Sequence, residues 1–300
     1  MLIKLPHPIP YQGSKRKLAG AISVYIPENI DTFYEPFAGS AAMTIYAAHH
    51  NLAKRFILGD TLEPIIELWK NIINNPYKTA DQYLLIWNGQ QNSDISYFNK
   101  IRDRYNQNFD PNDLLYLLCR CVKNAVRFNA VGKFTQSVDK RRLGMSPEKM
   151  RAAILGASHL LKGKSELRAG DWLLTTKDAS NSDFIYMDPP YFGTSVGPDK
   201  RYHKQLHVDD LINGLKSINN KKIRFVLSYD GMTGDKNYGP PLPDSLGMTR
   251  ILLEAGRSSQ STLHGKADMT VESLYLSAGI KRNNDKTKNH DQLLVSQSLF

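Results

Sequence analysis

Asp183-Phe184-Ile185-Tyr186-Met187-Asp188-Pro189-Pro190-Tyr191 is the stretch on which the reading of this chain turns. Its apolar run is too short for a helix and shows no polar alternation, as expected of a strand buried on both faces of a parallel sheet. Two prolines end it at once, because each fixes φ and neither can donate to a ladder. The carboxylate of Asp188 is thereby set at the carboxyl end of a central strand, where open α/β sheets bind their ligands.

Outward from this strand, short runs rich in β-branched and aromatic residues predict strands at 33–37, 55–59, 166–169, 183–187, 223–227, 249–253 and 271–276. Longer amphipathic runs predict helices at 40–50, 62–73, 146–162 and 207–218. The alternation of the two is the α/β pattern. From about residue 63 to 165 it stops: helical patterns at 78–88, 94–107 and 112–126 and a polar, Gly-containing stretch from Phe128 to Gly144 replace it. That region reads as a mostly helical insertion between the second and third strands. The chain beyond Lys281 is polar and charged, and its last few residues are expected to be poorly ordered.

The chemistry of Asp188-Pro-Pro-Tyr191 follows from its acceptors. An exocyclic amine carries two N–H groups and a weakly nucleophilic nitrogen, since its lone pair is delocalised into the ring. Asp188 and the Pro189 carbonyl can accept both hydrogens and stabilise the positive charge that develops as the nitrogen is alkylated. Tyr191 offers a ring face for an extruded base. Taken alone, the four residues are equally an ordinary turn beside an aromatic; the strand before them favours a site.

Three further motifs surround it. Phe33-Tyr-Glu-Pro-Phe-Ala-Gly-Ser40 runs from a strand through a Gly turn into a helix, and Gly39 would let backbone approach a ligand. It is not G-x-G-x-x-G, so a pyrophosphate is not indicated. Asp60 closes the next strand, where α/β nucleotide folds place an acid for ribose hydroxyls; on its own it is more readily a helix N-cap for 62–73. Asp171, after the strand ending near Ala169, is a candidate for an adenine amine. Tyr11-Gln-Gly-Ser-Lys15 is a tight basic turn whose Lys15 could meet a carboxylate or phosphate, or simply face solvent.

The charge is uneven. The 300 residues carry a net charge of +10, with pI near 9.4. Between Arg120 and Arg168 there are twelve Lys and Arg against three acids, nearly the whole excess, which suggests a polyanion-binding segment. Mean hydropathy is −0.42 and no apolar run is long enough to cross a bilayer; no signal peptide is read at the start, so a cytoplasmic protein is expected. Cys119 and Cys121 read as two half-buried thiols, neither bridged nor part of a zinc site.

Together the motifs resemble the Dam-like, D12-class DNA adenine-N6 methyltransferases, and the resemblance spans most of the chain. Tyr11 to Lys15 is similar to that family's aromatic-x-G-[GS]-K motif, Phe33 to Ser40 to its F-x-E-P-F-x-G-[GAS] loop, and Asp60 to the acid after the second strand. Asn124-Ala-Val-Arg-Phe-Asn129 followed by Gly132-Lys-Phe134 is similar to the recognition segment N-G-L-x-R-[YF]-N…G-x-F, one residue shorter and with Ala125 for the usual Gly.

The resemblance implies a Rossmann-like S-adenosylmethionine-dependent methyltransferase sheet, with residues 1–62 and 166–300 as the catalytic domain. It implies a target-recognition domain at 63–165 and direct transfer without a metal, leaving S-adenosylhomocysteine. Tyr11, Lys15, Glu35, Phe37, Gly39, Asp60, Asp171 and Asp188 are the cofactor-binding positions it suggests; Asp188, Pro189 and Tyr191 are the catalytic ones. For double-stranded DNA the candidates are Asn124, Arg127, Asn129, Lys133, Lys140, Arg141 and Arg142. Arg127 is the candidate for a guanine contact, and the other cations, together with lysines 133 and 140, for phosphate.

The expected activity is site-specific methylation of a flipped adenine by a monomer, as the modification enzyme of a restriction-modification system whose endonuclease acts separately. The alternatives are an amino-cytosine (N4) or RNA adenine methyltransferase, which also use Asp-Pro-Pro-Tyr, and a catalytically silent nucleic-acid-binding protein. Three further loops, Ser228–Gly231, Asn237–Pro243 and Arg257–Ser261, could line the pocket or reach DNA.

Overall fold

The computed structural model describes residues 5–90, 95–190, 206–233, 236–238, 240–257 and 269–283. Among these residues one sheet holds eight strands: β1 (Ile30–Glu35), β2 (Ala53–Asp60), β3 (Ser165–Ala169), β4 (Phe184–Met187), β5 (Arg224–Thr233), β6 (Lys236–Tyr238), β7 (Thr249–Arg257) and β8 (Met269–Leu276). The order in space is β3-β2-β1-β4-β5-β8-β7, with β6 pairing β5 off that path. Pairings from β3 across to β5 are parallel, and β8 lies antiparallel between β5 and β7. This is the α/β methyltransferase-type sheet that the sequence predicts.

Side-chain alternation explains why the middle of the sheet is apolar on both faces. Phe33, Phe56, Phe184, Tyr186 and Val226 enter the core on one face, while Tyr34, Ile57, Ile185, Met187, Phe225 and Leu227 enter the core on the other. Both faces are covered by helices, so every residue of β4 is buried. α9 (Val208–Asn220) covers the second face through Leu211, Leu215 and Ile218.

The first face packs against α1 (Ala19–Ser23), α2 (Ala42–His49) and the helices between β2 and β3. These are α3 (Glu63–Asn74), α4 (Pro76–Asn88), α5 (Ile95–Asn108), α6 (Pro111–Arg120) and α7 (Pro147–Leu161). Its core continues from Phe33 and Phe56 through Trp69, Tyr83, Phe98, Leu117 and Leu161. A single turn, α8 (Trp172–Thr175), follows β3.

The helix expected at 112–126 stops at Arg120. Cys121 is extended (φ −76°, ψ 160°), and Lys123 and Asn124 take left-handed backbone at φ 58° and 50°. The Asn124 side chain compensates by donating to the Leu118 carbonyl at 2.7 Å, satisfying an orphan acceptor near the helix end. Beyond it, the polar stretch folds into a hairpin-like turn in which Phe128 bridges Phe134, with their rings T-shaped at 5.6 Å. Both cysteines are free and fully buried rather than half-buried, and burial pushes each thiol up to about 12. No helix among the described residues is long and apolar enough to cross a membrane.

Candidate active site

The strand order reverses between β1 and β4, which leave the sheet side by side and in the same direction. Neighbouring connections there diverge to opposite faces, so a crevice opens at the carboxyl ends of these two strands. A cavity of about 770 Å³ occupies it. Tyr11, Lys15, Glu35, Phe37, Gly39, Asp60, Asp171, Asp188 and Pro189 all line it; Tyr191 lies outside the described residues.

The turn after β1 is built around Gly39, whose backbone is left-handed at φ +46°. A Cβ there would meet the Tyr11 ring at 3.3 Å. The Gly39 amide donates to Asp60 at 2.9 Å, and its carbonyl accepts from the buried Trp69 indole at 2.9 Å. Asp60 also accepts from the Leu62 amide at 2.9 Å, and burial raises its pKa despite these donors. It therefore joins the Gly39 turn to the entry of α3. The amino-terminal turn docks on the same loop through a 2.7 Å hydrogen bond from the Ser40 hydroxyl to that of Ser14.

Glu35 is committed to the helix that follows it. Its carboxylate accepts the backbone amides of Met43 and Thr44, at 3.4 and 2.7 Å, in the first turn of α2. Burial nevertheless pushes it up to about 7. Asp171 caps α8 by accepting the Leu173 amide at 2.8 Å. Phe37 stacks on Trp172 with ring centroids 6.1 Å apart, which gives this end of the cavity an aromatic wall.

At the mouth of β4, the Lys15 ammonium lies 2.9 and 3.0 Å from the two oxygens of Asp188. Lys15 is only 6% exposed. Burial pushes Asp188 up to about 6, with Lys15 opposing the shift and Glu272 adding to it. Glu272, on β8, lies 3.4 Å from the same ammonium. The sequence reading missed it; a charged residue inside the expected strand Val271–Leu276 was the available signal.

The candidate DNA residues lie apart from the cavity lining. Asn129 shapes the tip of the hairpin-like turn, its side chain accepting the amides of Val131 and Lys133 at 3.1 and 2.9 Å. Lys133, Lys140 and Arg141 are exposed, and Arg127 is half-buried. Arg142 points inward, donating to the Asn124 side chain and the Cys121 carbonyl at 3.1 and 2.7 Å. Asp139 pairs with both Arg141 and Arg142. The basic segment is thus less free than its composition suggests: Arg120 is fully buried, Arg151 pairs with Asp81, and Arg168 pairs with Glu166 and Asp178. Ser228–Asp230 and Leu242 are buried, while 258–261 lies outside the described residues. Among the described residues no group of His, Cys, Asp and Glu could hold a metal ion.

Residues 11–288 match the family described as D12 class N6 adenine-specific DNA methyltransferase. The chain is 30% identical over 238 residues to the modification methylase StsI of Streptococcus sanguinis, and 24% identical over 227 residues to the type II methyltransferase M.FokI of Planomicrobium okeanokoites. Each match covers 74% of this chain and 35% of the relative, so the chain spans little more than a third of their length. It is 24% identical over 233 residues to the type II methyltransferase M.CviBI of Paramecium bursaria Chlorella virus NC1A, covering 74% of this chain and 83% of that one.

Proposed function

The chain belongs to the D12 class of N6 adenine-specific DNA methyltransferases, and from that premise we propose that it methylates the N6 amine of adenine in double-stranded DNA, with S-adenosylmethionine as donor. The observation that carries the proposal is the meeting of Asp188 and Pro189 with the Gly39 turn and Lys15 in one cavity at the reversal of strand order.

The residues present fit such a donor. The cavity is within the range, about 300–1,000 Å³, of pockets that enclose small ligands. It offers a carboxylate at the end of β2 (Asp60), a close-approach glycine (Gly39) and an aromatic wall (Phe37 and Trp172). When bound, S-adenosylmethionine supplies an electrophilic methyl group on a sulfonium. Tyr11, Gly39, Asp60 and Asp171 would hold and orient it.

The chain's own contribution is acceptance and positioning. Asp188 and the Pro189 carbonyl accept the two N–H groups of the flipped adenine and stabilise the charge that its nitrogen acquires. The half-buried setting excludes competing water from those acceptors. Positioning and charge stabilisation supply the rate without a covalent intermediate. Residues 63–165 act in this reading as the target-recognition part: Arg127 reads a guanine, and the exposed Lys133, Lys140 and Arg141 hold phosphates. A role as the modification enzyme of a restriction-modification system is supported by the names of the StsI and M.FokI relatives.

Transfer of a tritiated methyl group to duplex DNA, followed by identification of the modified base, tests this. N6-methyladenine is expected, and Asp188→Ala should abolish turnover while leaving the fold intact. A 4-methylcytosine product, or an active Asp188→Ala enzyme, would overturn it.

A further inference from the structure

Glu272 enters the site through the sheet. Its Oε2 lies 3.4 Å from the ammonium that Asp188 holds, and the Ser228 hydroxyl of β5 donates to the same oxygen at 3.3 Å. The register of β5 against β8 shifts between Ser228 and Gly231, a bulge of the kind that re-aims side chains. At Gly231 a Cβ would meet the Val271 carbonyl oxygen at 2.7 Å, so only glycine lets β8 come this close.

A buried ammonium between two carboxylates has two places to rest its charge. While Lys15 engages both oxygens of Asp188, those oxygens are poor acceptors for an arriving amine. Were the ammonium simply released, a buried cation would be left uncompensated, which is costly. Building on the reading that Asp188 accepts the N–H groups of the target amine, we propose that Glu272 is a positioning residue that takes over the Lys15 ammonium as the amine engages Asp188. The proton stays on Lys15 throughout and no covalent bond changes; the ammonium shifts between carboxylates already within ion-pair reach.

Among the described residues, the charged groups that face Asp188 are Lys15 from the amino-terminal turn, Glu272 from β8 and Glu35 from β1. Glu272 raises the Asp188 pKa by repulsion, so removing its charge must lower it. Glu272→Gln keeps the shape and removes the charge. In the free protein, the carboxyl carbon signal of Asp188, identified by its loss in Asp188→Asn, should titrate at lower pH in Glu272→Gln than in wild type. In turnover, kcat should fall on the order of tenfold with KM for DNA unchanged, and the acid limb of the rate should move in the same direction as the titration. Glu272→Asp should return the titration towards wild type and restore part of the rate. An unmoved titration, or a wild-type kcat in Glu272→Gln, overturns the proposal. A wild-type chain that leaves adenine unmethylated instead overturns the proposed function, and the titration still decides whether Glu272 is coupled to Asp188.

Discussion

The backbone amide of Gln12 donates a 3.0 Å hydrogen bond to the carbonyl of Asn124, joining the turn that carries Tyr11 and Lys15 to the segment that leaves α6. Asn124 holds that carbonyl from a left-handed backbone, and its side chain links the Leu118 carbonyl to the Arg142 guanidinium. A residue expected to touch DNA is thereby also a strut between the segment that leaves α6 and the amino-terminal turn.

Asn124→Ala should therefore destabilise the folded chain by about 2 kcal/mol, combining left-handed strain in alanine with the lost side-chain hydrogen bonds. It should also raise the Kd for S-adenosylmethionine, because the backbone carbonyl that anchors the Tyr11 turn loses the side-chain hydrogen bonds that hold it in its left-handed setting. Thermal unfolding and calorimetric titration check both effects. An unchanged Tm with weaker DNA binding alone would reduce Asn124 to a surface contact.

Gly39→Ala should cost about 1–2 kcal/mol from backbone handedness alone, before the contact with the Tyr11 ring is counted. Since the same turn positions Asp60, cofactor affinity should fall with stability. Denaturant unfolding, with and without the cofactor, separates the two losses.

Much of this arrangement is legible in the sequence, for physical reasons that differ by element. β1, β2, β4 and β5 reveal themselves because the buried parts of a covered sheet must be apolar, and the turn after β4 because prolines end it; the half-exposed β3 and β7 do not follow from that rule. β6 has only three residues and α8 a single turn, too short for any periodicity to show. The helix expected to run on to 126 is over-extended because Cys121-Val-Lys-Asn-Ala125 has no helix breaker; the helix ends where Cys121 turns extended, and the left-handed Lys123 and Asn124 that follow keep it from resuming. Glu272 is hidden for another reason: its partner Lys15 is some two hundred and fifty residues away in sequence, and only the sheet brings them together. Charge counting likewise cannot tell Arg120, which is sealed in the core, from Lys140 at the surface.

Arg120 and Lys140 should accordingly separate in experiment. Arg120 donates to the Gln90 side chain and to the carbonyls of Asp139 and Arg142. Arg120→Met should lower stability by about 3 kcal/mol, since hydrogen bonds to a charged group are lost and their acceptors stay buried. Lys140→Ala should leave Tm unchanged but reduce the slope of log Kd for DNA against log salt by about one. Unfolding curves and a salt series of DNA binding read the two outcomes.

Glu35 should make stability fall as pH rises. Its pKa is raised from 4.5 to about 7 in the folded chain, so the folded state holds a proton that the unfolded state has lost. The stabilisation is complete below pH 4.5, declines through that window and is gone above about 7, a swing on the order of 3 kcal/mol. Glu35→Gln should flatten this part of the profile, measured by urea unfolding at pH 5 and pH 8.

The parallel pairing of β2 with β3 has a consequence for how the protein is made. Roughly a hundred residues separate the end of β2 from the start of β3, and all of α3 to α7 is synthesised between them. At about 5–20 residues per second, the growing chain carries an unmatched strand edge for roughly 5–20 s. Such an edge is a template for association with other nascent chains. Lys54 and Arg55, exposed at the head of β2, place two like charges beside its apolar Phe56-Ile-Leu58 run. Like charges at that position disfavour pairing with a second copy of the same edge, the use to which gatekeeper residues beside apolar strands are put.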